Sequence, residues 1–252
     1  MKNKFRLIAF LSVLLLVTMA CSITRQSPTT IPQTGDKDPK MLVSETRALD
    51  VFTKVEMDGG AKVILVQGDE HSVEVEGTQR VVDQLRTEVK DGVLVIDYRN
   101  RKLFENWSES PTLTITFKDL SAFRLDGGAE LKADNLNLAD LNFKINGGAS
   151  VKLNNLVIST LNMTLAGGGD IRVSGVAQNL TIDVSGGTNF EAEDFKCANV
   201  NVEVAGAANV VVWATDTLNL DLAGAYSVSY WGSPNITQSI GGIGQVKALG
   251  DK

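Results

Sequence analysis

The second half of the chain repeats one pattern of apolar, small and polar positions about every 20 residues. In each copy, alternating apolar and polar residues lead to one or two glycines, and a polar and an apolar residue follow soon after. The first glycines of seven consecutive copies lie at positions 127, 147, 167, 186, 206, 224 and 242. A fixed period of this length is typical of a solenoid, in which each repeat forms one coil. An eighth copy, Asp58–Val63, lies upstream, as if a longer segment had been inserted after it.

Alignment of the copies gives four columns that are apolar in nearly every repeat, separated by mostly polar positions. The columns are Leu131, Val151, Ile171, Phe190, Val210, Val228, Val246; Leu125, Ile145, Leu165, Val184, Val204, Leu222; Phe123, Phe143, Met163, Ile182, Val202, Leu220; and Leu141, Leu161, Leu180, Val200, Leu218. Such alternation predicts short strands, with equivalent residues of neighbouring coils stacked about 4.8 Å apart. The sequence therefore predicts an all-β fold, a single-stranded parallel β-helix with glycine corners.

The segment before the repeats alternates in the same strand-like manner but lacks the period. One stretch, Thr78–Val89, differs because its apolar residues Val81, Val82, Leu85 and Val89 follow helical spacing. The sequence predicts one short helix here, near the N-terminal end of the β-helix. Such a helix would shield the open edge of the first coil.

The first residues have the pattern of a bacterial lipoprotein signal. A basic start precedes the apolar run Leu7–Val17, which is shorter than the ~20 residues of a transmembrane helix and suits a secretory signal. The run leads into Val17-Thr-Met-Ala-Cys21, which resembles a lipobox, where the cysteine becomes the lipidated first residue. We therefore expect residues 1–20 to be a lipoprotein signal peptide and Cys21 to be a membrane anchor. Ordinary cleavage nearby, with Cys21 left free, is the alternative.

The domain boundaries follow from a change in the pattern of polar and apolar residues. Residues 21–47 are polar and contain three prolines and no periodic pattern, which predicts a flexible tether. Strand-like alternation starts at Ala48, so a single β-helix domain is expected over residues 48–252. Ser22 directly after the cysteine favours the outer membrane under the sorting rule of enteric bacteria.

Several stretches carry a resemblance to a known family. They are Phe52–Asp69, Val89–Ile96, the Gly-Gly-Ala coils, and Tyr230–Pro234 followed by Ile240–Gly244. In these stretches the chain resembles the head-GIN-domain, or autotransporter adhesin, family of bacterial exported proteins. The resemblance implies a right-handed β-helix, a cell-envelope location and an adhesin-like role, and it brings no catalytic residues.

Charge and composition narrow the possible partners. The formal charge is −6, whereas nucleic-acid binding requires clustered Lys and Arg, so no nucleic-acid partner is expected. His71 is the only histidine, which supports neither a catalytic triad nor a histidine-based metal site. Cys197 falls in an inward column and is expected to be an inert buried thiol. We expect no cofactor and no resident metal.

Candidate binding residues lie in the outward columns, where a solenoid displays its function. Asp183, Glu203 and Asp221 form a column of carboxylates that suits a polar ligand, a cation such as calcium, or plain solvation. Trp213 and Trp231 share another outward column, and their rings would either stack on sugars or cover the open end of the core. A further column of Asn142, Asn162, Thr181, Asn201 and Asn219 predicts an amide ladder.

These observations favour a non-enzymatic, lipid-anchored protein of the bacterial cell envelope with an adhesin-like binding or scaffolding role. Its expected partners are the membrane, through Cys21, and a glycan or a neighbouring envelope protein. Two alternatives stay open. One is a polysaccharide-acting enzyme that uses the carboxylates and a basic residue, and the other is a purely structural envelope protein. The sequence leaves the oligomeric state open.

Overall fold

The computed structural model describes residues 41–99 and 110–252, which are all-β apart from one helix. The strands are β1 (Leu42–Ala48), β2 (Lys54–Asp58), β3 (Ala61–Gln67), β4 (Ser72–Thr78), β5 (Leu85–Lys90), β6 (Val93–Tyr98), β7 (Thr112–Phe117), β8 (Ala122–Asp126), β9 (Ala129–Asp134), β10 (Asn137–Val184), β11 (Gly187–Trp231) and β12 (Asn235–Gly250). The helix α1 (Gln79–Gln84) lies between β4 and β5. All twelve strands belong to one sheet.

Strands one repeat apart pair in parallel, in the register of the sequence period. Phe123 of β8 lies opposite Phe143 of β10, and Ile182 of β10 lies opposite Val202 of β11. β12 pairs with β11 in the same way. β10 and β11 run for 48 and 45 residues because each passes through more than two repeats, called coils below. Residues one coil apart are therefore vertical neighbours, as the period predicts.

The four apolar columns form the core. Their members are buried in every coil from β8 to the end of β11. Phe123 and Phe143 stack directly, with ring centroids 5.1 Å apart and planes 9° from parallel. Each buried Val, Leu or Ile contributes about 1.5–3 kcal/mol to folding, so the repeated columns supply the main stabilising term.

The upstream copy joins the same arrangement. β2 and β3 pair in parallel with β8 and β9, with Met57 opposite Leu125 and Val63 opposite Leu131. On their other side, β6 and β7 pair with β2 and β3, also in parallel. β6 and β7 thus extend the stack of strands by one layer beyond the upstream copy.

Pairing at this end is not parallel throughout, so the expectation of a purely parallel sheet is wrong here. β4 lies antiparallel to β7, β1 antiparallel to β4, and β5 antiparallel to β6. The sheet is therefore mixed. β1 and β4 lie outside β7, and β5 lies outside β6. Of these antiparallel pairs, only β5 and β6 are consecutive strands joined by a short turn.

The predicted helix is half as long as its apolar spacing suggested. Thr78 caps α1, with its Oγ1 accepting from the N–H of Val81 at 3.4 Å, but the helix ends at Gln84. Residues 85–90 form β5 instead, because Asp91 and Gly92 adopt φ of 51° and 75° and turn the chain directly into β6. Paired turn residues with positive φ are typical of a tight hairpin.

All of β1 except Ala48 lies in the stretch that was expected to be a tether. β1 pairs with β4 over Leu42–Ala48, and the Arg47 guanidinium donates to the carbonyl oxygens of Leu85 and Val82 at 2.8 and 2.9 Å. The signal segment 1–20, Cys21 and the tether up to residue 40 lie outside the described residues.

Candidate functional site

Asp183, Glu203 and Asp221 occupy one outward column. Asp183 lies opposite Glu203 in the ladder between β10 and β11. Glu203 and Asp221 each stand two residues after Asn201 and Asn219, whose amides hydrogen-bond from Nδ2 of Asn219 to Oδ1 of Asn201 at 2.7 Å. The alignment of the repeats therefore brought these carboxylates together correctly.

Two of the three carboxylates line an open surface groove of about 290 Å³. Glu203 and Asp221 share it with Asn201 and Asn219 and with the last-coil hydroxyls of Thr237 and Ser239. Asp183 stands beside the groove in the column and does not line it. The groove thus offers carboxylate, amide and hydroxyl groups in successive coils on one face.

Amide ladders connect the coils next to this column. Asn162 donates from Nδ2 to Oδ1 of Asn142 at 3.0 Å, and Asn219 donates to Asn201 in the same way. The predicted ladder is confirmed at these two steps, with Thr181 between them. An amide has two N–H donors and a carbonyl with two lone pairs, so a ladder bond leaves hydrogen-bonding capacity for a ligand.

Trp213 and Trp231 also lie one coil apart, as predicted. The Nζ of Lys252 lies 5.6 Å from the centroid of the Trp213 ring and 5.7 Å from that of Trp231. The Nζ of Lys196 lies 5.4 Å from the Trp213 centroid. These distances are typical of cation–π contacts. The two indoles are therefore half-buried and contact lysine.

The two candidate sets do not form one site. Neither tryptophan lines the groove of Glu203 and Asp221. Sequence reasoning missed Lys252, whose ammonium also contacts Asp194 and the carbonyl oxygen of Glu193. Position 252 lies beyond the last repeat, so no column pointed to it. It also missed Thr237 and Ser239, which a further step of 18 residues along the groove columns would have found.

The structure does not support a calcium site in the carboxylate column. Across residues 41–99 and 110–252, no three His, Cys, Asp or Glu side chains are arranged to hold a metal ion. Adjacent side chains on a flat outward face point away from the sheet in parallel, and a calcium ion needs six to eight oxygens converging on it.

In the outward column of Lys132, Lys152, Arg172 and Glu191, the charge changes from basic to acidic at one ion pair. Lys132 lies opposite Lys152 in the earlier coils, whereas Arg172 lies opposite Glu191, with Nε and Oε2 2.6 Å apart. The hydrogen bonds from Arg172 and then Asn189 lower the pKa of Glu191 below its ordinary value. The ion pair therefore joins a basic residue of one coil to an acidic residue of the next.

Cys197 is fully buried, as predicted, and its thiol lies 3.5 Å from the carbonyl oxygen of Phe195. Burial raises the pKa of this thiol to about 12, so almost none of it is thiolate at neutral pH. His71 packs edge-on against Phe52, with ring centroids 5.1 Å apart. The buried thiol of Cys197 is therefore not placed to act as a nucleophile.

The family assignment rests on residues 51–234, which match the family model described as "Putative auto-transporter adhesin, head GIN domain". The chain belongs to the head GIN family. The match spans the upstream coil, the inserted segment and the repeats up to β12. No curated protein matches the chain. The described helix of this head GIN protein is not long and apolar enough to cross a membrane.

Solved structures share the fold. A "putative adhesin" from Bacteroides fragilis is 24% identical, with a TM-score of 0.78, over 83% of this chain and 98% of its own. A "putative adhesin" from Parabacteroides distasonis is 21% identical, with a TM-score of 0.60, over 83% of this chain and 97% of its own. A "putative lipid binding protein" from the same organism is 18% identical, with a TM-score of 0.59, over 82% and 96%. At these identities the likeness extends to the fold alone.

Proposed function

We propose that this head GIN protein is a lipid-anchored, non-enzymatic adhesin of the bacterial cell envelope. In this proposal its parallel ladders wind as a right-handed β-helix, and its outward faces bind a hydroxyl-rich ligand such as a glycan. The groove of Glu203, Asp221, Asn201 and Asn219 carries the proposal, because one open face holds acceptors and donors in successive coils.

The chemistry of the groove suits sugar hydroxyls. Carboxylates accept hydrogen bonds, and amides both donate and accept them. The same face can therefore accept a hydrogen bond from a sugar hydroxyl and donate one to it. Equivalent positions recur every ~4.8 Å along the coils, which suits an extended chain of similar units better than a single small molecule. The family name and the adhesin names of the structural neighbours support a surface-binding role.

Anchoring would place this groove at a membrane surface. Lipidation of Cys21 would hold the β-helix through the tether, with the outer membrane favoured by Ser22. Cys21→Ser should move the protein from the detergent phase to the aqueous phase on phase separation, whereas Cys197→Ala should leave it in the detergent phase. Equal partition of the wild-type protein and Cys21→Ser would remove the anchor from the proposal.

Binding to an array of bacterial and host polysaccharides tests the site. The wild-type protein should bind at least one glycan, Glu203→Gln with Asp221→Asn should bind it more weakly, and Asp140→Asn, a change at an exposed carboxylate of β10, should bind normally. A wild-type protein that binds no glycan, or a double variant that binds as tightly, contradicts the proposed site. Release of reducing or unsaturated sugar ends, lost in the double variant, would identify an enzyme instead.

A further inference from the structure

The last coil presents an unpaired strand edge. β12 pairs with β11 along one side, and no strand among residues 41–99 and 110–252 pairs with its other side. The backbone N–H and C=O groups on that side are thus open to hydrogen bonding with another chain. An edge of this kind is a template for strand addition.

The hydrophobic core is also uncovered at this edge. Ile236 and Ile240 continue two inward columns above Leu218 and Leu222. The lower pair is 0% exposed, whereas Ile236 and Ile240 are 41% and 48% exposed. Ile243, at the corner of the same coil, is 85% exposed. Exposed apolar residues grouped beside unpaired backbone mark an interaction surface.

The charges at the two ends of the sheet differ. The segment 235–246 contains no charged residue, although the chain carries a formal charge of −6. At the opposite end, the outermost strands β1 and β5 carry charged residues, among them Glu45, Arg47, Arg86 and Lys90. Charges on an edge strand disfavour pairing with another chain. A head-to-tail contact would bring the neutral edge against a charged one, whereas a contact between two last coils would be neutral on both sides.

We propose that β12 forms the interface of a two-fold symmetric dimer, in which the last coils of two copies of this chain pair edge to edge. A two-fold axis makes the contact antiparallel and uses the same patch on both copies. An axis through Gly241 superimposes the two glycine corners and places Ile236 of one copy opposite Val246 of the other. Both of these residues continue inward columns, so the two cores become continuous.

The size of the edge sets the strength of the contact. β12 has 16 residues, fewer than the ~20–30 residues on each side of a standard stable interface. The dimer is therefore reversible and depends on protein concentration. This property separates it from the intramolecular coil pairs, which do not dissociate without unfolding.

Sedimentation velocity of the full chain with Cys21→Ser tests the dimer over micromolar to submillimolar concentrations. The protein should shift from monomer to dimer as concentration rises, and Ile240→Lys should weaken association about tenfold or more, because pairing would desolvate the lysine. Val157→Lys is the matched control, since Val157 is 49% exposed on β10, and it should associate normally. If Ile240→Lys lowers the melting temperature, Ile243→Lys replaces it as the interface variant. The Ile243 side chain lies at the corner, outside the core, so its substitution should not disturb folding.

A protein that stays monomeric throughout this range overturns the proposal. Unchanged association of both β12 variants, or equal weakening by Val157→Lys, overturns it as well.

A cysteine at the proposed axis tests the geometry. Residues directly opposite in an antiparallel pair have Cα atoms about 4.5–5.5 Å apart, inside the ~4.4–6.8 Å of a disulfide. A Cβ on Gly241 would meet only the carbonyl oxygen of Leu222, at 3.8 Å, so the substitution should fold. With Cys21→Ser, Gly241→Cys should form a disulfide dimer on diamide oxidation, and the exposed control Ser150→Cys should not. Absence of the disulfide dimer, or equal crosslinking of both variants, contradicts an axis at Gly241.

Discussion

A Cβ built on Gly147 would lie 2.1 Å from the carbonyl oxygen of Gly127, one coil earlier in the sequence. The same approach recurs at the corresponding corners, at 2.0 Å for Gly167 and 2.3 Å for Gly242. Gly147 also has φ of +136°, a conformation that residues with a Cβ rarely adopt. At Gly147 the absence of a Cβ therefore permits both the turn and the close stacking of coils. Gly186 and Gly206 do not have positive φ, but a Cβ on them would still lie 1.9 and 2.4 Å from a carbonyl oxygen of the preceding coil.

Replacement of a corner glycine should destabilise the protein strongly. Gly147→Ala adds backbone strain of about 1–2 kcal/mol and a steric clash of about 1–3 kcal/mol. We expect the free energy of unfolding to fall by about 2–5 kcal/mol, measured by urea denaturation followed by circular dichroism.

Two other glycines separate the two causes. Gly92→Ala should cost only the backbone term, because its φ is +75° but nothing lies within 4 Å of its Cβ position. Gly187→Ala should be nearly neutral, because its surroundings are equally open and its φ is outside the left-handed region. Equal losses at Gly147, Gly92 and Gly187 would show that the close stacking has no energetic weight.

A second prediction concerns Arg47, which joins β1 to the end of α1. Its guanidinium satisfies the carbonyl oxygens of Leu85 and Val82, and its side chain is only 18% exposed. Arg47→Ala should lower the free energy of unfolding by about 1–3 kcal/mol, because it leaves polar groups without partners. Arg47→Lys should not restore the loss, since an ammonium lacks the planar fork that spans both oxygens.

Lys90→Ala is the control for Arg47. Lys90 forms an ion pair with Glu88 on the neighbouring exposed surface, and its side chain is 60% exposed. Its removal should change the urea midpoint little, because exposed ion pairs contribute little. A loss at Lys90 as large as the loss at Arg47 would contradict the bridging role of Arg47.

The core was predictable because its pattern repeats along the chain. The structure of the inserted segment was not, because its pattern occurs only once. A column that recurs five to seven times leaves little ambiguity about which side chains are inward, so the buried columns followed from alignment. Thr78–Val89 occurs once, and its apolar residues fit a helix as well as a helix followed by a strand. The Asp91-Gly92 pair was the signal that could have ended the helix early, because this dipeptide favours a hairpin turn.

The candidate site was predictable to the same extent. The column of Asp183, Glu203 and Asp221 depends only on the period, so its register was predictable. The groove depends on how deep the surface is between neighbouring coils and on residues of the last coil. An alignment of repeats does not give the depth of a surface. The contacts of Lys252 with the two tryptophans occur once in the chain. No repeated sequence pattern predicts them, so they are visible only in the structure.

A third prediction concerns the pH dependence of the Arg172–Glu191 pair. The hydrogen bonds of Arg172 and Asn189 lower the pKa of Glu191 in the folded protein below its ordinary 4.5. The pair therefore stabilises the fold above pH 4.5, and this contribution is lost as the pH falls through the lowered pKa. Glu191→Gln should lower the urea midpoint slightly at neutral pH, and the difference should disappear in strong acid.

Glu193→Gln is the control for this pH dependence. Glu193 is an exposed residue on the same strand, two positions from Glu191, so the substitution removes the same charge without breaking the ion pair. It should change the urea midpoint less than Glu191→Gln at neutral pH. A difference between wild type and Glu191→Gln that persists unchanged in strong acid would show that the ion pair is not its cause.

The last prediction uses Cys197 as a reporter of core opening. The thiol is 0% exposed and burial raises its pKa to about 12, so a thiol reagent should reach it only when its coil opens. In the Cys21→Ser background, native protein should label slowly, while denatured protein and the exposed variant Ser150→Cys should label at once. Gly147→Ala should accelerate labelling of Cys197 if the destabilised coils open more often. Immediate labelling of the native wild-type core would mean that the columns around Cys197 are not closed to solvent.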